Sequence, residues 1–175
     1  LTESLRVDGI QTASGHFDFD VSENQLAWAG VGQGQDTMCP ISMLQYMGAI
    51  ANGGQAAAPY LMQRVRKGDD ITYEAKTVLS DAVLKPETAD TLTKLMRNNV
   101  QSVYGDWQFG GLNVCAKSGT AEHEGETADA MFAGFCVDEN CPLAFVVFVE
   151  NGGSGSAVAA PIAAKVLQVC AAELQ

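Results

Sequence analysis

The strongest hydrophobic pattern lies in the last third of the chain. Residues 112–120, 129–137 and 142–150 are three largely apolar stretches of strand length, with Asp138, Glu139 and Asn140 as a turn between the second and third. The stretch "PLAFVVFV" (142–149) is apolar at odd and even positions alike, which predicts a central strand covered on both faces. Gly152, Gly153 and Gly155 then loosen the chain, and a final helix opens near Pro161 and runs to the C-terminus with Ile162, Val166 and Val169 facing inward. Three strands joined by short loops and closed by a helix predict an α+β fold, an antiparallel sheet with packed helices.

Upstream the pattern turns helical. Pro40 suits a first helical position, and Ile41, Leu44, Met47 and Ile50, with Tyr46 alongside, give a buried face. Asn52-Gly53-Gly54 ends that helix. Residues 60–78 read as a hairpin turning at Lys67-Gly68-Asp69-Asp70. A second helix runs from Pro86 to about Val103, with Ala89, Leu92, Met96 and Val103 inward and Gly105 as its stop. Residues 1–27 are polar and weakly patterned and read as a loop with one short strand. "AGVGQGQD" (29–36) reads as a tight glycine-rich connection, since it lacks both the third glycine of a dinucleotide fingerprint and the Gly-Lys-Ser/Thr of a phosphate loop.

Composition narrows the function classes. A chain of 175 residues with 47% hydrophobic content can bury a sizeable core as one domain. A formal net charge of -11 repels phosphate backbones and anionic lipid heads, which argues against nucleic acid and peripheral membrane partners. The longest apolar run, Leu143 to Val149, is far short of a membrane span. The chain opens on Leu1 without an initiator Met or a leader, as a piece of a longer protein would. Five cysteines and two histidines, His16 and His123, have no zinc-ligand spacing, so neither a metal nor another cofactor is expected.

One segment stands out chemically. The apolar stretch before it ends in Lys117-Ser118-Gly119-Thr120, in a chain that has only ten Lys plus Arg. Taken alone, these residues fit a surface lysine followed by turn residues. Glu122, Glu124, Glu126 and Asp129 beyond it read as solvated loop acids. Cys115 shares a strand face with Lys117 and reads as buried and inert. Trp28 and Trp107 read as core or rim aromatics, and Met43, Met47, Met62 and Met96 as core filler. A four-residue turn at 137–140 would place Cys136 and Cys141 opposite one another, within disulfide range if the pair is of the closer, non-hydrogen-bonded kind.

Five segments occur in a recognisable order: "GVGQGQDTMCPISMLQYMGAIANGG" (30–54), "KSGTAE" (117–122), "DAMFAGF" (129–135), an apolar strand ending in Glu150-Asn151-Gly152-Gly153, and "AAPIAAKVL" (159–167). Together they resemble the C-terminal half of the transpeptidase domain of penicillin-binding proteins, especially the class B type. The resemblance covers residues 28–175, with 1–27 as a weakly assigned lead-in to the same domain. That family uses three motifs: Ser-x-x-Lys for the acylated serine, Ser-x-Asn, and Lys-Thr-Gly or Lys-Ser-Gly on a cleft strand. No serine in this chain has lysine three residues later, so it holds no nucleophile of that kind. Ser22-Glu23-Asn24 fits the second motif formally but lies just before the glycine-rich turn, whereas the family places that motif well upstream.

The resemblance implies roles for the third motif. Ser118 and Thr120 would hydrogen-bond the carboxylate of a peptidoglycan stem peptide or a β-lactam. Lys117 would stabilise charge near the Ser-x-Asn serine, Gly119 would let the ligand approach, and the Thr120 backbone N–H would be one of two oxyanion donors. The implied activity is that of a serine D,D-transpeptidase, with this chain inactive by itself. The alternative within the fold is a non-catalytic β-lactam sensor or a degenerate scaffold; a serine β-lactamase is disfavoured because no deacylating glutamate stands out. The implied location is the extracytoplasmic face of a bacterial membrane, anchored by a segment outside this chain, where disulfides persist. The strand at 142–150 is expected to leave an apolar edge open to self-association.

Overall fold

The computed structural model describes residues 2–18 and 22–174. The chain opens with a short hairpin, β1 (Arg6–Val7) and β2 (Ile10–Gln11), turning through Asp8 and Gly9 at φ of 47° and 90°. Asp8 Oδ2 accepts hydrogen bonds from the Leu61 and Met62 N–H groups, each at 2.7 Å, which ties this hairpin to the later chain.

Residues that read as loop include a helix, α1 (Glu23–Gly30). Ser22 caps it: its Oγ accepts from Gln25 N–H while Gln25 Oε1 accepts from Ser22 N–H. This reciprocal cap is written in the sequence as Ser-x-x-Gln, and it occupies the serine of the formal Ser-x-Asn match.

α2 (Pro40–Ala51) begins and ends as predicted, with Pro40 in the first turn and Gly53 and Gly54 at positive φ beyond it. It buries Met47, Ala49 and Ile50, but Leu44 is exposed. The inward face centres on 43, 46, 47 and 50, and Ile41 and Leu44 instead line a shallow groove with Tyr60. β3 (Gln55–Ala57) follows, then the expected hairpin of β4 (Arg64–Lys67) and β5 (Asp70–Glu74), then β6 (Leu79–Ala82), which pairs back onto β3. Met62, beside this exposed hairpin, is itself exposed rather than core filler.

α3 (Pro86–Asn99) continues as a π-helical turn over 100–104 that Gly105 stops at φ 90°. The wider turn brings Val100 into the core and turns Val103 out, so Val103 does not extend the buried stripe of Ala89 and Met96.

The sheet that the rest packs on is antiparallel, in the order β7 (Val114–Ala121), β8 (Asp129–Cys136), β9 (Ala144–Val149). β9 is apolar on both faces because helices cover both, yet it is an edge strand among the described residues rather than a central one. On one face Val114, Ala116, Ala130 and Phe132 meet α4 (Ala160–Glu173), which a second π-helical turn over 155–159 introduces. On the other, Cys115, Ala133 and Phe135 meet Met47 and Ile50 of α2 and Met96 of α3.

α4 is turned from its expected orientation. Ala160, Ala163, Ala164, Leu167 and Ala171 face the sheet, and Ile162, Val166 and Val169 are exposed. Large residues were the natural choice for an inner face, but this interface is built on close backbone approach, which favours alanine. The segment Gly155–Glu173 is long and apolar enough to cross a membrane, and here its small-residue face forms part of the core.

The sheet's second turn is longer than expected. Cys136 N–H donates to Leu143 O, so Leu143 rather than Cys141 lies opposite Cys136. Cys136 and Cys141 are both buried free thiols, and burial, with the neighbouring Cys141, raises the Cys136 pKa.

Arg97 joins α3 to the strand that carries the candidate site. Its guanidinium donates to both Asp106 oxygens at 2.6 and 2.7 Å, to Val114 O at 3.2 Å and to Asn113 Oδ1 at 3.3 Å. The hydrogen bond from Arg97 holds the Asp106 carboxyl below its ordinary pKa. A depressed carboxylate pKa contributes stability that is present above the unfolded value and lost as pH falls through the folded one. Arg97→Met is therefore expected to cost about 1–2 kcal/mol near neutral pH. That difference should shrink as pH drops below the ordinary carboxylate value of about 3.9, as urea denaturation of both proteins across pH would measure.

Candidate active site

Lys117 to Thr120 lie on β7, the open edge of the three-stranded sheet, with β8 alongside as expected. The backbone alternation can be fixed from its ends. Val137 N–H donates to Asn113 O, so the pairs Cys115–Phe135, Lys117–Ala133 and Gly119–Met131 carry the ladder bonds. Ser118 and Thr120 therefore direct their own N–H and C=O away from β8, onto the open edge.

Three of those four groups have partners. Ser118 N–H donates to Tyr104 Oη at 3.0 Å, Ser118 O accepts from Lys117 Nζ at 2.6 Å, and Thr120 O accepts from Gln33 Nε2 at 3.1 Å. The Thr120 N–H has no side-chain or loop partner among the described residues. Gln33, which holds the Thr120 carbonyl, and Glu122, two residues further on, line an open cleft of about 630 Å³ with Trp28, Val31 and Gly34.

The side chains divide by face. Ser118 and Thr120 project toward α4: Ser118 Oγ lies 3.1 Å from Tyr104 Oη, and Thr120 Oγ1 accepts the Gly155 N–H at 3.2 Å. Gly155 approaches so closely that a methyl group there would overlap the Gly119 and Met131 carbonyls. Lys117 projects to the other face, exposed at its own position, while Cys115 two residues earlier is fully buried. Burial lifts the Cys115 thiol to about 11, so it is inert as read.

Beyond the strand, Glu122, Glu124 and Glu126 are exposed loop acids, but Asp129 is not. It opens β8, accepts the Asn151 N–H at 2.8 Å and meets His123 Nε2 at 2.9 Å, and these two bonds hold its pKa down. It ties the loop after the Lys-Ser-Gly-Thr segment to the turn after β9. Trp28 is exposed at the rim of the cleft, and Trp107 is exposed but does not line that cleft. Among the described residues no group of three His, Cys, Asp or Glu could hold a metal.

Two contacts to the segment escape sequence reading. Gln33 sits in the glycine-rich turn taken for a plain connection, and Tyr104 lies just past the expected end of the second helix, where the sequence assigns it no role. No local pattern marks either one; only the folded chain brings them across 87 and 14 residues of separation.

The family description "Penicillin binding protein transpeptidase domain" matches residues 3–168. The chain belongs to that family. Its relatives are class B proteins: it is 31% identical over 147 residues to the peptidoglycan D,D-transpeptidase PbpA of Mycolicibacterium smegmatis, covering 78% of this chain and 30% of that protein. It is 27% identical over 164 residues to the peptidoglycan D,D-transpeptidase MrdA of Salmonella typhimurium, covering 79% of this chain and 26% of that one. The chain thus spans under a third of the length of these curated relatives. Among solved structures, it superposes on the ceftriaxone acyl-enzyme complex of Mycobacterium tuberculosis penicillin-binding protein A with a TM-score of 0.80 at 25% identity, covering 94% of this chain and 38% of that one. The α+β transpeptidase fold expected from the sequence is therefore the fold of this chain.

Close packing at Gly155 makes a testable demand on this transpeptidase fold. Gly155→Ala is expected to cost about 2–3 kcal/mol, because the obstacles are backbone carbonyls that cannot turn aside. Gly48→Ala, in helix α2 with no atom within 4 Å of the added methyl, should instead be neutral or stabilising by up to about 1 kcal/mol. Thermal denaturation of the two variants beside the wild type checks both signs.

Proposed function

We propose that this chain supplies the strand wall of the cleft in a serine D,D-transpeptidase that cross-links peptidoglycan stem peptides and is acylated by β-lactams. The observation that supports this reading is the unfilled Thr120 N–H on an open strand edge, with the Ser118 hydroxyl two residues and the Lys117 ammonium three residues before it, on opposite faces. In this reading the Thr120 N–H is an oxyanion donor, Ser118 and Thr120 bind the ligand carboxylate, and Lys117 stabilises charge beside the Ser-x-Asn serine. Gly119 keeps the strand face clear for the ligand. The acylated serine and its own N–H, the second donor, come from sequence outside these 175 residues. The protein works on the extracytoplasmic face of the membrane, as peptidoglycan cross-linking requires.

The chain alone lacks a Ser-x-x-Lys, so it has no activated nucleophile of the family's kind. Incubated with a fluorescent penicillin, it should show no mass increase that survives denaturation. One β-lactam covalently added would mean that a nucleophile within these residues had been missed. In the full-length polypeptide, Lys117→Ala should slow acylation roughly 100-fold or more, the order of effect of removing one electrostatic group from such a site. Acylation of that variant at the wild-type rate would remove Lys117 from the mechanism. A full-length wild type that takes up no penicillin at all would favour the degenerate scaffold reading.

The outer side of β9 has no strand partner among the described residues and carries the half-exposed Phe148. Self-association of this chain through that edge is part of the same proposal. Sedimentation should show a concentration-dependent dimer, and Phe148→Pro, which removes a backbone donor that points away from β8, should weaken it.

A further inference from the structure

We propose that Tyr104 is a positioning residue of the cleft, one that commits the Ser118 hydroxyl to donating toward an anionic ligand; this rests on reading Ser118 as part of the carboxylate site. Tyr104 ends the π-helical turn over 100–104, and its ring packs edge-on to Phe132 with centroids 5.2 Å apart and planes at 82°. The phenol oxygen is thereby held 3.0 Å from the Ser118 nitrogen and 3.1 Å from Ser118 Oγ.

The order of donation follows from what each group can do. A backbone N–H only donates, so the phenol oxygen accepts from Ser118 N–H. The phenol's own proton then has one acceptor within reach among the described residues, Ser118 Oγ. Having accepted, that hydroxyl keeps its own proton for a further group. The sequence is Ser118 N–H to Tyr104 O–H to Ser118 O–H to ligand, and each bond polarises the next. At the open edge the free Thr120 N–H and the Ser118 O–H are then both donors, a pairing that suits a carboxylate or an oxyanion. The same contact occupies the Ser118 N–H, so an extended peptide along β7 finds no backbone donor there. A tyrosine at this point both removes one site of strand addition and sharpens another.

Tyr104→Phe removes the phenol oxygen and keeps the ring against Phe132. In this chain, amide exchange followed by NMR should find Ser118 N–H at least tenfold slower than Thr120 N–H in the wild type. In the variant the two should exchange alike, with the ladder amides of Lys117 and Gly119 unchanged. In the full-length polypeptide, Tyr104→Phe should slow acylation by a carboxylate-bearing penicillin about tenfold through weaker pre-covalent binding. The methyl ester of the same penicillin should react at an unchanged rate, and the effect should vanish in a Ser118→Ala background. Equal slowing of acid and ester would show a merely structural role and overturn the proposal. So would a wild-type Ser118 amide that exchanges as fast as Thr120, a measurement that needs no variant. If the full-length wild type reacts with neither compound, the transpeptidase reading fails, and the exchange comparison alone decides whether Tyr104 holds Ser118.

Discussion

The backbone at the start of the last helix approaches the first two strands of the sheet closely enough to exclude side chains. Gly155 lies against the Gly119 and Met131 carbonyls, and Gly134 lies against the Cys115 carbonyl, where even a methyl group would overlap. Around them Ala116, Ala130, Ala159, Ala160 and Ala163 are all but fully buried. Small residues give up apolar area but allow the density at which dispersion contacts accumulate. The Gly155 N–H reaches the Thr120 hydroxyl only because of this approach. It fixes the inner side of β7 and leaves the outer side as the part of the strand free to meet a ligand.

The two faces of the sheet are held differently. Toward α2 and α3 the contacts are made by long side chains, Met47, Ile50, Met96 and Phe135. Arg97 then pins the beginning of β7 by bonding the Val114 carbonyl and Asp106 together. A strand so restrained on both faces keeps its backbone groups in register without a partner at its edge. This is the condition under which an edge can serve as a rigid template rather than as a frayed end.

Much of this was legible because the relevant signals are local. The Lys-Ser-Gly-Thr segment, its strand neighbours, the Pro40 and Pro86 helix starts and the hairpin near Gly68 all follow from period, proline and glycine. α1 had a local signal as well, the Ser22 and Gln25 cap, but it carries no amphipathic stripe and buries none of its residues. The α4 face was misread because burial there follows closeness of approach, not side-chain size, and Ile162, Val166 and Val169 are the larger residues. Asp129 looked like its acidic neighbours and differs only in having Asn151 and His123 in reach. Gln33 and Tyr104 illustrate the limit most clearly, since each acquires its role from a contact across the fold. The family resemblance rested on the order of segments, which survives at identities where single positions no longer inform.

The strands β7, β8 and β9 follow one another directly in the chain, and α4 follows them. Most contacts that build the cleft wall therefore join residues close in sequence, the arrangement that folds fastest because little loop entropy is lost before pairing begins. During synthesis the Lys-Ser-Gly-Thr strand emerges well before Gly155 and the alanine face that secure it. Until about 35 further residues have been made, its inner side has no helix to rest on, and the hydroxyl of Thr120 lacks the Gly155 N–H separated from it by 35 positions. The segment that distinguishes this protein chemically is thus completed only after Gly155 and the helix that follows it have been made.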